Sequence, residues 1–218
     1  SPAQYFHLLR RQMHGGPDGR PLRKPLIVFT PKSILRDPRA TSTLDEVVNG
    51  QFQRVIPDVS KYPASGVTRI LFCSGKIYYD LADAREKRGA KHVAIARVEQ
   101  LYPLPEQAIK SVIDQYPAAK EIFWVQEEPR NQGAWRYMRT PIQYMLDPTR
   151  RDVRYAGRAE SASPAGGSSK RNDEEQHQLI EDAFAPQPVP IRKPRRVKSV
   201  MSPVVTVTCG RAAAVKVT

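Results

Sequence analysis

The chain has 218 residues, 40% of them hydrophobic and 26% charged, with a net charge of +13. That length and balance suit one globular domain with a buried core and a tail, and exclude a large multidomain machine within the chain. No apolar run approaches the roughly 20 residues a transmembrane helix needs. Two cysteines, Cys73 and Cys209, cannot build a disulfide-dense scaffold or a four-cysteine zinc site. With no basic-then-apolar leader at its start, the chain is expected in a reducing, cytoplasmic setting. It opens with Ser1-Pro2 and reaches its first methionine only at Met13, so it reads as a carboxyl-terminal piece of something larger or as a trimmed chain.

The charge is unevenly spread. From Gln187 onward seven bases (Arg192, Lys193, Arg195, Arg196, Lys198, Arg211 and Lys216) meet no acid, so more than half of the excess lies in the last 32 residues. Pro188, Pro190, Pro194 and Pro203 interrupt the same stretch. Residues 186–218 are therefore expected to be a solvated, disordered basic tail, and a nucleic-acid role resting on them is not favoured.

Tyr5, Leu8, Leu9 and Met13 give residues 2–13 a helical period, followed by a glycine-rich loop at 15–19. Pro25 to Thr30 is a short apolar run ended by Pro31 and is predicted to be a buried strand. Ser42 with Asp45 marks a helix start, and Asn49-Gly50 marks its end. Ile70–Cys73 is predicted as a buried strand, Ser74-Gly75 as a tight turn, and Ile77–Arg88 as a helix closed by Gly89. A second strand, Val93–Ala96, leads through a loop at Glu99–Leu104 to a helix that begins with Pro105 and ends at Tyr116-Pro117. A third strand, Ile122–Val125, runs into Gln126-Glu127-Glu128-Pro129. Ser161 to Ser169 is a small-residue loop before a closing helix from Asp173 to Phe184.

Alternating strands and helices, with continuous apolar runs in the strands, predict an α/β fold: three layers, a mostly parallel sheet, and helices on both faces. Such sheets present ligand-binding residues beyond the carboxyl ends of their strands. Three of those ends are Thr30 to Ser33, Cys73 to Lys76, and Gln126 to Glu128.

No dinucleotide, phosphate-loop or nucleophile-elbow pattern occurs, and His7, His14, His92 and His177 lack metal-ligand spacing. Ser74, Gly75 and Lys76 sit where a helix amino terminus attracts anions; alternatively Ser74 simply caps the helix and Lys76 is an exposed charge. Arg36 is a second candidate cation, or an ordinary surface charge. Cys73, ending an apolar strand, reads as a buried small hydrophobe rather than a nucleophile. Glu127 and Glu128 are adjacent and face opposite ways on an extended segment. Trp124, Trp135 and Tyr137 suit core or subunit packing better than a stacking platform.

Ordered blocks across residues 2–184 resemble a known family. They are Tyr5 to Gln12, Arg23 to Ser33, Cys73 to Leu81, Arg97 to Pro103, Trp124 to Pro129 with Asn131 to Trp135, Arg154 to Arg158, and Ser161 to Pro164. Together they resemble the carboxyl-terminal region of the first component of 2-oxoglutarate dehydrogenase. The resemblance implies a transketolase C-terminal-like domain over residues 1–185. It also implies a parent that uses thiamine diphosphate and magnesium to decarboxylate 2-oxoglutarate in the tricarboxylic acid cycle. That parent is expected to be a homodimer that passes succinyl to the lipoyl group of a second component. The cofactor and catalytic residues are expected on other parts of the parent, with no catalytic, cofactor or metal residue in this chain. Arg36, Ser74 and Lys76 would be its regulatory anion contacts, for a nucleotide or acetyl-coenzyme A. A stand-alone nucleotide or acyl-coenzyme A sensor is the alternative.

Overall fold

The computed structural model describes residues 1–14, 20, 24–146, 153–164 and 166–185. The predicted loop at 15–19 and the predicted tail lie outside them. Five strands form one sheet: β1 (Val55–Ile56), β2 (Arg69–Cys73), β3 (Val93–Val98), β4 (Glu121–Pro129) and β5 (Arg154–Arg158). Their order is β1-β3-β2-β4-β5. β2 pairs in parallel with β3 and β4, β4 pairs in parallel with β5, and only β1 runs antiparallel, against β3.

Alternation along the strands sends side chains to two separate cores. Ile70, Phe72, Ile122 and Trp124 meet α4 (Glu106–Asp114) and α5 (Trp135–Met145) through Ile109, Ile113, Met138 and Ile142. Leu71, Cys73, Phe123 and Val125 meet α3 (Ile77–Arg88) and α6 (Ser169–Phe184) through Ile77, Leu81, Leu179 and Ala183. All five residues of β2 are buried, which explains its unbroken apolar run. Burying each large side chain contributes about 1.5–3 kcal/mol. The predicted three-layer, mostly parallel architecture is the one observed.

Polar anchors tie the outer segments to this frame. Arg69, at the start of β2, donates to the carbonyls of Ala183 and Ala185 at 2.9 and 2.8 Å, supplying donors that the carboxyl end of α6 otherwise lacks. Its Nε reaches Glu121 at 2.9 Å, and Glu121 also holds Arg154, so β2, β4 and β5 are clamped at one end of the sheet. On α3, Arg85 pairs with Asp58 at 2.7 Å, with side chains only 6% and 2% exposed. That pair fastens the arm before β2 to the helix.

Four local expectations are corrected. Residues 25–30 form no strand: Ile27 is 78% and Phe29 94% exposed. No described strand lies alongside to pair with that run, and β-propensity is expressed only against a partner surface. The cap of α2 (Leu44–Val48) is Thr43, in a reciprocal box with Glu46, while Ser42 accepts from the Ala3 N–H of α1 (Pro2–His14) at 3.0 Å. Pro105 is the cap of α4 rather than its first residue. Finally, α6 starts at Ser169, four residues before the predicted Asp173, because the Ser168 hydroxyl accepts from the Arg171 N–H.

Asp58→Ala leaves Arg85 charged, buried and unpaired, and should lower stability by about 3–5 kcal/mol in urea denaturation, whereas a loss under about 1 kcal/mol would assign the pair no anchoring role.

Candidate functional site

The strand order places a topological switch point between β2 and β4. The chain leaving β2 crosses through α3 on one face toward β3, and the chain leaving β4 crosses through α5 on the other face toward β5. Loops that part in this way open a crevice at the carboxyl ends of the strands. Here the crevice has a volume of about 470 Å³ and is lined by Ser74, Gly75, Leu101, Tyr102, Trp124, Gln126, Glu128, Gly133, Ala134 and Tyr137.

Gln126 organises its floor. The buried carboxamide oxygen accepts from the indole N–H of Trp124 at 2.9 Å and from the backbone N–H of Trp135 at 2.8 Å. Its amide donates to the carbonyls of Glu128, Pro129 and Gln132 at 3.2, 3.2 and 2.8 Å. One side chain thereby fixes the whole turn from β4 into α5. Gly133 adopts φ +64, and a Cβ there would lie 2.9 Å from the Gln126 amide, so the turn requires glycine twice over. The Tyr155 hydroxyl closes the outer side by donating to the carbonyl of Arg158 at 2.9 Å, and burial pushes that phenol's pKa up.

Of the predicted anion contacts, Ser74 lines the crevice and Lys76 is not among its lining residues. Lys76 forms an ion pair with Glu127, which also accepts from Gln176 of α6 at 2.8 Å. Gln176 in turn reaches Asp80 at 3.0 Å. Lys76 is thus part of a polar seam joining the β2 turn, β4 and α6. Lys76, not Ser74, occupies the cap position of α3, and no side chain caps that helix. Arg36 ends a short 3-10 helix, Lys32–Arg36, and is exposed. The cation of that segment that touches α3 is Arg39, which donates to the Tyr79 carbonyl at 3.2 Å and holds the Asp37 carboxyl down to about 2. The structure divides Ser74 and Lys76 between the crevice wall and the seam, and gives Arg36 no contact with either.

Glu127 and Glu128 point apart as the extended segment requires, one into the seam and one into the crevice. Trp124 and Trp135 are core residues, and Tyr137 is 45% exposed at the crevice mouth beside the 83% exposed Tyr102. Cys73 is wholly buried, and burial pushes its thiol up to about 12. His7 is also buried and bonds the Glu46 carbonyl at 2.8 Å. Among the described residues no group of three His, Cys, Asp or Glu side chains comes together to hold a metal ion, and no helix is long and apolar enough to cross a membrane. The sequence marked Gln126 as a strand end, but neither its five bonds nor the contribution of Tyr102 could be read from spacing.

Comparison with known proteins places this geometry. A family model described as 2-oxoglutarate dehydrogenase C-terminal matches residues 41–184. The chain belongs to that family. The 2-oxoglutarate dehydrogenase E1 component of Cupriavidus necator is 47% identical over 185 residues, covering 85% of this chain and 19% of the relative. The E1 component of Azotobacter vinelandii is 44% identical over 186 residues, with 84% and 19% covered. A multifunctional 2-oxoglutarate metabolism enzyme of a Mycobacterium species is 42% identical over 190 residues, with 85% and 15% covered. The chain thus spans about a fifth or less of the length of these relatives. A split-gene transketolase, described as an inactive β4 tetramer, aligns with a TM-score of 0.45 at 9% identity, over 62% of this chain and 42% of its own.

Two outcomes follow. Gln126→Leu strips partners from two buried N–H groups and three carbonyls, and should cost at least about 2 kcal/mol in thermal or urea melts; an unchanged midpoint would contradict the hub. In a Cys209→Ser background, Cys73 stays neutral at pH 8 because its thiol ionises only near 12. An aromatic disulfide reagent should therefore modify it only after denaturant is added, and rapid labelling of the folded chain would contradict its burial.

Proposed function

We propose that this chain is the carboxyl-terminal lobe of a 2-oxoglutarate dehydrogenase first component. In this reading its parent decarboxylates 2-oxoglutarate with thiamine diphosphate and magnesium, in the cytoplasm, within the tricarboxylic acid cycle. The succinyl group then passes to the lipoyl arm of a second component, and the parent works as a homodimer. The chain's own part is to pack against the remainder of the parent and hold it in shape. The observation that carries this reading is the coverage: most of this chain aligns with E1 components, and it accounts for 19% of their length.

The surface supports a docking role. Tyr5, Phe6, Leu9 and Met13 share one exposed face of α1, and Ile27, Phe29 and Leu35 stand exposed after it. An exposed apolar helix face such as that of α1 supports an interface role. In this reading the rest of the parent covers it, and residues 24–36 are a linking arm to that neighbour, while the sheet domain continues to residue 185. An effector anion at Arg36, Ser74 and Lys76 would have to take Lys76 away from Glu127.

A chimera tests the proposal: residues 1–185 replace the matching region of the Cupriavidus necator E1 component. Activity dependent on 2-oxoglutarate should return to within about tenfold of the intact relative, a difference of about 1.4 kcal/mol in transition-state stabilisation. A chimera that folds and yet turns over no 2-oxoglutarate would overturn it.

A further inference from the structure

We propose that residues 192–203 of this chain seat themselves in the crevice between the β2 and β4 ends, with a base laid against Tyr102 and Tyr137 beside the Glu128 carboxylate. The occupant is the chain's own basic segment, and the proposal does not rest on the parentage reading. One stretch of the tail that the sequence leads us to expect in solvent thereby has a place on the domain.

The crevice has the chemistry to take a cation on an extended strand of chain. Tyr102 and Tyr137 stand exposed at its mouth, Leu101, Trp124 and Ala134 add apolar wall, and Glu128 is the charged member of the lining. A ring face attracts a guanidinium or ammonium group, and a carboxylate beside the ring adds to the pull. Aromatic-lined grooves also accept proline-containing segments, because proline has already lost much of the backbone freedom that docking would cost.

The carboxylate is open to such a partner. Among the described residues Glu128 enters no ion pair, whereas its neighbour Glu127 is held by Lys76. Arg130, two residues on, lies 5.6 Å over the Tyr155 ring instead. The five hydrogen bonds of Gln126 fix the turn on which Glu128, Gly133 and Ala134 stand, so the groove is formed before it is filled.

Charge and reach select the occupant. Arg192, Lys193, Arg195, Arg196 and Lys198 fall within residues 192–203 together with Pro194 and Pro203, and no acid accompanies them. The chain leaves α6 at Ala185, whose carbonyl Arg69 holds at the amino end of β2. The crevice lies beyond the carboxyl end of that strand, roughly 15–20 Å away at a strand's rise per residue. Extended chain covers about 3.3 Å per residue, so the residues before Arg192 are taken up by the approach and those from Arg192 onward can arrive. A segment tethered in this way meets its groove at an effective concentration on the order of millimolar, enough to fill a site of modest affinity.

Carbodiimide coupling of the full 218-residue chain, read by mass spectrometry, tests the contact directly: Glu128 should join Lys193 or Lys198 within one chain. Trypsin should cut after Arg195 and Arg196 at least about fivefold faster in the double variant Glu128→Gln, Tyr137→Ala than in the unsubstituted chain, because cleavage follows the undocked population. Both positions are exposed, so the melting temperature should stay the same. Tyr144→Ala, on the same helix but outside the crevice, should be cut like the unsubstituted chain. Equal cleavage of the double variant and the unsubstituted chain would overturn the proposal, as would coupling of Lys193 and Lys198 only to other carboxylates. Coupling found only between two chains would give the groove to a second copy and overturn it too. So would cleavage that slows only when a duplex oligonucleotide is added, since the segment would then be a nucleic-acid arm.

Discussion

Everything in this fold answers to the position of β2. It is flanked on both edges by parallel partners and covered on both faces, so none of its five residues meets water. A parallel strand cannot be joined to its neighbour by a tight hairpin, and the chain must cross over through a helix each time. Those crossovers supply the covering layers, and their departure to opposite faces opens the crevice between the β2 and β4 ends. One burial constraint thus yields the layers, the two cores and the place where a site can form.

Many of the charged side chains among the described residues hold elements together. Arg69, Glu121 and Arg154 lock the lower end of the sheet to α6, Arg85 and Asp58 lock the preceding arm, and Lys76, Glu127, Gln176 and Asp80 lock the upper end. Gln126 does the same for the crevice floor with neutral bonds. Buried pairs of this sort contribute little net stability compared with apolar replacements, but breaking one partner is costly. In the proposed reading, a lobe that presents fixed surfaces to the rest of its parent gains from such specific fastening.

Much of this was legible in the residues. The β2, β3 and β4 runs, the Gly89 stop of α3 and the amphipathic α4 follow from periodicity and end signals. α5 was harder to see: Pro141 lies within it, yet Trp135, Met138 and Ile142 still repeat at helical spacing and are buried. β1 is only two residues long, and β5 mixes Arg154, Tyr155 and Gly157, so neither shows a strand pattern in isolation. Residues 25–30 failed in the opposite direction, since their composition asks for a sheet that the described chain does not offer. The site residues divide in the same way. Strand ends were predictable from topology, whereas the pairing of Lys76 with Glu127 joins segments far apart in sequence, which no local pattern records.

The central claim is that this chain is a supporting lobe completed by a larger parent. Hydrogen–deuterium exchange on the isolated chain and on the same residues grafted into the Cupriavidus necator E1 component tests it most directly. The account predicts that amides of α1 and residues 24–36 exchange much more slowly in the grafted protein, while β2, β3 and β4 are equally protected in both. Equal exchange of α1 and residues 24–36 in the two settings would contradict it.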